Sequence, residues 1–112
     1  MSDRLKAGLW VKAQLRMCDI NFISAMVMRR GDEDSGSVLL KLNRFQDGCA
    51  VFVPITTIEG ERGWMHGLKG GYVDERSCDD YIRRQVERDD DLWVLEIDDP
   101  KCAYELDAKL VQ

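Results

Sequence analysis

Residues 24–55 read SAMVMRRGDEDSGSVLLKLNRFQDGCAVFVPI and contain three strand-like runs that are separated by two turn signals. The first signal is the acidic segment bounded by Gly31 and Gly36, and the second is Asp47-Gly48. Two hairpins with these connections predict a three-stranded antiparallel meander. The position numbers of paired residues would sum to an odd value of about 67 in the first hairpin and about 93 or 95 in the second.

These sums divide the side chains of the meander between its two faces, because successive residues of a strand point to opposite sides. The predicted core face carries Ala25, Val27, Val38, Leu40, Leu42, Val51, Val53 and Ile55. The second face carries Met26, Met28, Leu39, Lys41, Asn43, Ala50 and Phe52. Its large apolar members form a patch that is either covered from within or an interaction surface for a partner protein or a homodimer, namely Met26, Met28, Leu39 and Phe52.

The segment before the meander supports two interpretations. Apolar residues alternate between Leu9 and Met17 as in a strand, but they also recur at helical spacing from Val11 to Phe22. Good helix formers follow Trp10, which favours a short extended piece through Leu9 and Trp10 that enters a helix ending near Asp19. Strand and helix both stay open for residues 9–19.

The chain after the meander predicts a loop, a helix and a strand. Pro54 lacks an amide donor, so its strand is expected to lie at a sheet edge or to stop there. Five glycines in residues 56–72 predict an irregular loop. A capping pair of Ser77 and Asp80 begins a helix that stops by Arg88. Residues 92–97 form a buried strand, residues 102–106 are candidates to pair back, and the last six residues are expected to fray.

Length and composition predict one soluble domain. The 112 residues are 45% hydrophobic and 33% charged, which is typical of a single globular domain over residues 1–112. A net charge of -5 and a sequence pI near 4.8 argue against general nucleic-acid binding. No apolar run reaches the ~18 residues of a membrane span, and no signal peptide is evident. The sequence therefore predicts a cytoplasmic protein without membrane contact.

The four cysteines do not form a recognisable metal or disulfide pattern. They are scattered singly with no CxxC pair, at Cys18, Cys49, Cys78 and Cys102. Isolated cysteines in a reducing compartment are usually small hydrophobes with free thiols. We therefore predict no metal and no cofactor.

Short segments spread over residues 4–99 resemble a bacterial family of short uncharacterised proteins, a domain of unknown function. The segments are Leu9-Trp10-Val11, Arg29-Arg30-Gly31-Asp32, Lys41-Leu42-Asn43-Arg44, Gly60-Glu61-Arg62 with Trp64-Met65, and Leu92-Trp93-Val94 with Glu96-Ile97. The resemblance implies a compact α/β domain. It implies no activity, cofactor or catalytic residue.

Two kinds of function remain for the predicted α+β domain, in which a C-terminal strand extends the meander and two helices pack on the sheet. The first is a non-enzymatic protein-interaction module that uses the apolar patch. The alternative is an anion-binding or enzymatic pocket for a nucleotide or an acidic metabolite, with arginine pairing, tryptophan stacking and one histidine. Its candidate ligand-binding residues are Arg29, Arg30, Arg62, Trp64 and His66. We assign no catalytic residue and favour the non-enzymatic interpretation.

Overall fold

A computed structural model describes residues 6–111 of the chain as two helices and one mixed sheet of six strands. The helices are α1 (Ala7–Ile20) and α2 (Glu75–Arg88). The strands are β1 (Ser24–Arg29), β2 (Val38–Asn43), β3 (Cys49–Thr56), β4 (Arg62–His66), β5 (Trp93–Asp98) and β6 (Lys109–Leu110). The sheet order is β1-β5-β2-β3-β4-β6, with α1 on one face and α2 on the other. The α+β class is confirmed.

The first predicted hairpin is wrong, because β5 lies between β1 and β2. Strand β5 is antiparallel to β1 and parallel to β2, so that Leu95 lies beside both Val27 and Leu40. Four of the six β5 residues are buried, as a central strand requires. Gly31 and Gly36 cross the start of β5 so closely that a Cβ on either would collide with the carbonyl of Asp91. These glycines therefore carry the chain over β5 and do not form a tight turn.

The second hairpin is present, but its register differs by one residue from the prediction. Leu40 lies opposite Phe52, and Asn43 lies opposite Cys49, so the position numbers sum to an even value. The connection is five residues long because a 3₁₀ turn at Phe45–Asp47 precedes Gly48. Consequently the predicted faces hold for β1 and β2 and are inverted for β3.

The N-terminal segment is helical over nearly its full described length. Helix α1 includes Leu9 and Trp10, so the predicted extended piece is wrong, whereas the predicted end near Asp19 is close to the observed Ile20. The reason is a buried stripe at helical spacing: Trp10, Val11, Gln14 and Cys18. This stripe packs on the sheet and decides the helix over the strand.

The predicted loop 56–72 contains strand β4, and three neighbouring expectations are also corrected. Pro54 lies opposite Trp64 inside the sheet, so β3 is not an edge strand. Helix α2 begins earlier than expected, because the Asp74 side chain accepts a hydrogen bond from the amide of Ser77. Residues 102–106 form no strand, and β6 instead pairs parallel to β4 within the segment that was expected to fray. The end of α2 at Arg88 and the buried strand near residues 92–97 are as predicted.

The sheet has a core on each face. The face under α1 and the C-terminal segment is the larger, and its fully buried members include Leu40, Phe52, Trp64, Leu95 and Ile97. The face under α2 contains Leu39, Cys49, Val51, Cys78 and Leu92. No helix within residues 6–111 is long and apolar enough to cross a membrane.

Lys41 lies in the middle of the α2 face with only 5% of its side chain exposed. Its Nζ donates to Glu75 Oε2 at 2.8 Å and to Asp79 Oδ1 at 2.7 Å, and it lies 3.3 Å from Glu96 Oε1. Burial by itself lowers the pKa of Lys41, but the hydrogen bonds to Asp79 and Glu75 and the charge of Glu96 outweigh burial and raise this pKa. The ammonium therefore stays charged and ties α2 to β2 and β5.

We expect Lys41→Met to lower the free energy of unfolding by about 3 kcal/mol, because it leaves the carboxylate of Glu96, whose side chain is only 14% exposed, without a cation. Glu75 and Asp79 are about half exposed and can be hydrated instead. Denaturant melts measure the loss, and the exposed Lys69→Met is the matched control, with a change within about 0.5 kcal/mol. Adding Glu96→Gln to Lys41→Met should recover part of the loss. Equal melts for the two lysine variants would contradict this assignment.

The cysteines differ in accessibility, which gives a second prediction. Cys18, Cys49 and Cys78 are buried, and burial raises the pKa of each thiol, whereas Cys102 is exposed. A thiol reagent should therefore titrate one cysteine quickly in the native protein and all four in denaturant. Cys102→Ser should remove the fast reaction alone. Two or more fast thiols in the native state would contradict the packing of the two cores.

Candidate functional site

A cavity of about 290 Å³ lies between the first half of α1, the loop before β2, and the adjoining ends of β3 and β4. Two buried indoles form part of its wall, and residues with hydroxyl groups, one aspartate and one arginine form the polar part. The lining residues are Ala7, Trp10, Asp34, Ser35, Gly36, Ser37, Val38, Pro54, Ile55, Thr56, Arg62 and Trp64.

The two indoles are held by one carboxylate, Asp107. Trp10 donates its Nε1–H to Asp107 Oδ2 at 2.7 Å, and Trp64 donates its Nε1–H to Asp107 Oδ1 at 2.9 Å. The ring centroids are 5.7 Å apart and the planes are tilted by 50°. Buried indole N–H groups need acceptors, and Asp107 supplies both. Helix α1, strand β4 and the segment before β6 are therefore joined at this corner of the cavity.

Arg62 also faces Asp107 but is not fully engaged by it. The Arg62 Nη1 to Asp107 Oδ2 distance is 3.5 Å, whereas strong guanidinium–carboxylate bonds are ~2.7–2.9 Å long. Asp107 already accepts the two indole donors, and the Arg62 side chain is 41% exposed. The guanidinium therefore has donors left for another acceptor in the cavity.

The loop on the opposite side of the cavity is fixed by hydrogen bonds to Asp32. Its Oδ2 accepts from the amide of Asp34 and from the amide and hydroxyl of Ser35. The hydrogen bonds from Ser35, backbone first and then side chain, followed by that from the amide of Asp34, lower the pKa of this carboxyl. The Ser37 carbonyl accepts the amide of Trp93 at 2.8 Å, which anchors the loop to β5. The cavity wall is thus held by contacts within the protein itself.

The structure brings Arg62 and Trp64 together and places the other three predicted ligand-binding residues elsewhere. Arg29 donates to the carbonyl of Asp90 at 3.3 Å. Arg30 pairs with Glu33 at 2.8 Å and lies over the Trp93 ring. His66 packs on Phe52, with ring centroids 4.8 Å apart, and lines a separate hollow with Lys69, Gly70 and Gly71.

The predicted apolar patch does not exist as one surface. Met26 and Met28 are 50% and 55% exposed, but Leu39 and Phe52 are buried. Leu39 belongs to the core under α2, and Phe52 belongs to the core under α1. The cause is the even register of β2 and β3, which sends these two side chains to opposite faces.

Two residues of the cavity corner were missed by sequence reasoning. Trp10 was placed in an extended piece, and Asp107 was placed in a fraying end. Their contact spans 97 positions, and that between Trp64 and Asp107 spans 43. A tryptophan on the buried stripe of α1 was a usable signal for Trp10, but no local pattern points to Asp107.

No group of three or more His, Cys, Asp or Glu side chains within residues 6–111 is arranged to hold a metal ion. His66 stands beside aromatic rings, with Tyr72 at 5.9 Å between ring centroids. Three of the four cysteines are enclosed in the cores. The cavity offers the guanidinium of Arg62 for charge pairing, indole rings for stacking and hydroxyl groups for hydrogen bonds.

Comparison with known proteins identifies the family. Residues 5–107 match the family model described as "Protein of unknown function (DUF1491)". A crystal structure of a DUF1491 family protein from Caulobacter crescentus CB15 is similar at 30% identity with a TM-score of 0.83, covering 96% of this chain and 98% of that one. An NMR structure of a DUF1491 family protein from the same organism is 31% identical with a TM-score of 0.81, covering 96% and 97%.

A third solved structure shares the fold at lower identity. Protein Atu0922 from A. tumefaciens is 23% identical with a TM-score of 0.72, covering 92% of this chain and 89% of that one. A search of curated proteins finds no match. The family resemblance in the sequence is thereby confirmed, and the chain belongs to the DUF1491 family of proteins of unknown function.

Proposed function

We propose that this DUF1491 protein is a non-enzymatic binding protein whose cavity takes a small carboxylic acid with an apolar body. The observation that carries the proposal is Arg62. Its guanidinium lines the cavity, and its carboxylate neighbour Asp107 is 3.5 Å away and already bonded to two indoles. A ligand carboxylate could accept two parallel N–H bonds from such a guanidinium.

The size and wall of the cavity favour an acidic metabolite over a nucleotide. A volume of about 290 Å³ lies just below the ~300–1,000 Å³ range of ligand pockets, which suits a small molecule. The wall is mainly apolar, with Trp10, Val38, Pro54, Ile55 and Trp64. An apolar body would bury surface here, while its acid group is directed to Arg62.

Binding without catalysis is supported by the position of the reactive side chains. His66 lies in a separate hollow, and the nucleophilic thiols of Cys49 and Cys78 are enclosed beneath α2. The hydroxyls of Ser37 and Thr56 line the cavity and are suited to orient a ligand by hydrogen bonds.

A protein contact is the second candidate function, and it is favoured by Met26 and Met28. Both are about half exposed on β1, the first strand of the sheet order.

The acidic net charge of -5 supports the absence of general nucleic-acid binding. We also propose a cytoplasmic location on the grounds of sequence.

The cavity proposal predicts that carboxylic acids with an aromatic or branched apolar body raise the melting temperature. A ligand at one hundred times its dissociation constant stabilises by about 2.7 kcal/mol. Arg62→Met should abolish the shift caused by the acid, because the methionine keeps the apolar stem and removes the donors. A thermal-shift panel of acids, their neutral amides and nucleotides measures this.

Two controls make the experiment decisive. Arg84→Met removes an exposed arginine on α2 and should leave the ligand shift intact. In the wild type, the neutral amide should raise the melting temperature less than the acid does. In Arg62→Met, the amide should raise the melting temperature as much as it does in the wild type. The proposal fails if no acid stabilises the wild type, or if Arg62→Met binds the acid as well as the wild type does.

A further inference from the structure

The outer edge of β1 is free, because this strand is at one end of the sheet order and has no neighbour on its outer side among residues 6–111. It has six residues and contains neither proline nor lysine, the two residues that commonly keep an edge strand from pairing with a strand of another molecule. Met26, Val27 and Met28 are exposed by 50%, 37% and 55%. An extended strand added here would find open backbone groups and apolar side chains.

The two ends of this edge carry opposite charges that the fold leaves incompletely paired. At the end of β1, Arg29 has one long bond to the Asp90 carbonyl at 3.3 Å, and its Nε has no hydrogen-bond partner among the described residues. At the start of β1, Ser24 lies opposite Asp98 of β5. Asp98 Oδ1 likewise has no partner within residues 6–111.

Asp98 belongs to an acidic cluster with too little positive charge. Glu96, two residues earlier on β5, shares the ammonium of Lys41 with Glu75 and Asp79. Burial of Glu96, and after it the neighbouring carboxyl of Asp98, raise the pKa of Glu96, because both disfavour its charged form. The Lys41 ammonium is therefore shared by three carboxylates, and the neighbouring Asp98 forms no ion pair among the described residues, so a second cation beside Asp98 would be favourable.

We propose that β1 pairs antiparallel with β1 of a second copy of this chain, so that Arg29 of each copy lies beside Asp98 of the other. A twofold axis perpendicular to the sheet at Met26 places Val27 opposite Ala25 of the partner subunit. The bulge after Val27 then sets Met28 and Arg29 opposite the partner's Ser24. Arg29 and the partner's Asp98 are then two strand spacings apart, ~10 Å between their backbones, and only the small side chain of the partner's Ser24 lies between them.

The self-complementarity is the reason to choose a second copy over another protein. One symmetry operation brings a cation to both acidic ends at once and continues the sheet across both molecules. Pairing of two six-residue strands buries little area, so we expect a weak dimer with a dissociation constant of about 10–100 μM. This surface is separate from the cavity, so it can fail or succeed independently of the proposed ligand.

Sedimentation equilibrium of the wild type up to about 1 mM and of two charge variants tests the proposal. Arg29→Glu and Asp98→Arg should each weaken the dimer about tenfold or more, because each puts like charges together at both contacts. An equimolar mixture of the two variants should associate again. One contact then joins the introduced glutamate to the introduced arginine, and the other keeps the native pair of Arg29 and Asp98. Arg84→Glu, on the exposed side of α2, should dimerise like the wild type.

Cross-linking gives a readout that does not depend on these charge variants folding. In a Cys102→Ser background, Met26→Cys lies on the twofold axis and should be joined quickly to the same cysteine of the partner subunit by a short bifunctional thiol reagent, because directly opposite Cβ atoms are ~4.5–5.5 Å apart. Met65→Cys, at an exposed methionine on β4, is the control and should not cross-link. A wild type that stays monomeric at ~1 mM, or variants that stay apart when mixed although both fold, would overturn the proposal.

Discussion

The carboxylate of Asp107 is the constraint on which the candidate site depends. It accepts one indole N–H from α1 and one from β4, at 2.7 and 2.9 Å, and thereby fixes three segments that are far apart in sequence. Without this acceptor, two buried indole donors would lose their partners, which costs about 1–3 kcal/mol each. The same two hydrogen bonds occupy the oxygens of Asp107 and leave the Arg62 guanidinium incompletely paired. Asp107 therefore both fixes the cavity wall and leaves the Arg62 guanidinium free to pair with a ligand.

The part of the fold that can be predicted from the sequence is local. The strand character of β1, β2, β3 and β5 follows from apolar β-forming runs, and the end of α2 follows from the three aspartates after Arg88. The alternation of side chains in β1 and β2 was also assigned to the correct faces. These features depend on residues a few positions apart, where periodicity and capping chemistry decide.

The part that could not be predicted depends on contacts between distant segments. Nothing near Gly31 or Gly36 indicates that β5, some sixty residues later, lies between the two strands they connect. The connection from Arg44 to Gly48 sets a β2–β3 register that differs by one residue from the prediction. This difference inverts the predicted faces of β3 and places Phe52 in the core under α1. The candidate site is the part that was least predictable from the sequence. Arg62 and Trp64 were identified from residue type, whereas Trp10 and Asp107 join them only through tertiary contacts.

The two proposed binding regions lie in different parts of one sheet. The cavity is formed by α1, the loop before β2 and the neighbouring ends of β3 and β4, and the free edge is β1, across β5 and β2. The buried Lys41 cluster lies between them and holds α2 in place. A ligand in the cavity therefore leaves the β1 edge open, and each region can be altered by surface substitutions without disturbing the other.

An NMR titration of the three indole N–H signals with a cavity-sized apolar carboxylic acid tests the role of the cavity most directly. Trp93 does not line the cavity but donates its indole N–H to the Asp32 carbonyl, so its signal reports how far the perturbation spreads into the loop before β2. We expect saturable shifts of the Trp10 and Trp64 signals and of the Arg62 side-chain signals, much larger than those of Trp93 and absent in Arg62→Met. Saturable binding that leaves Trp10, Trp64 and Arg62 unperturbed, or shifts centred on His66, would contradict the proposed site.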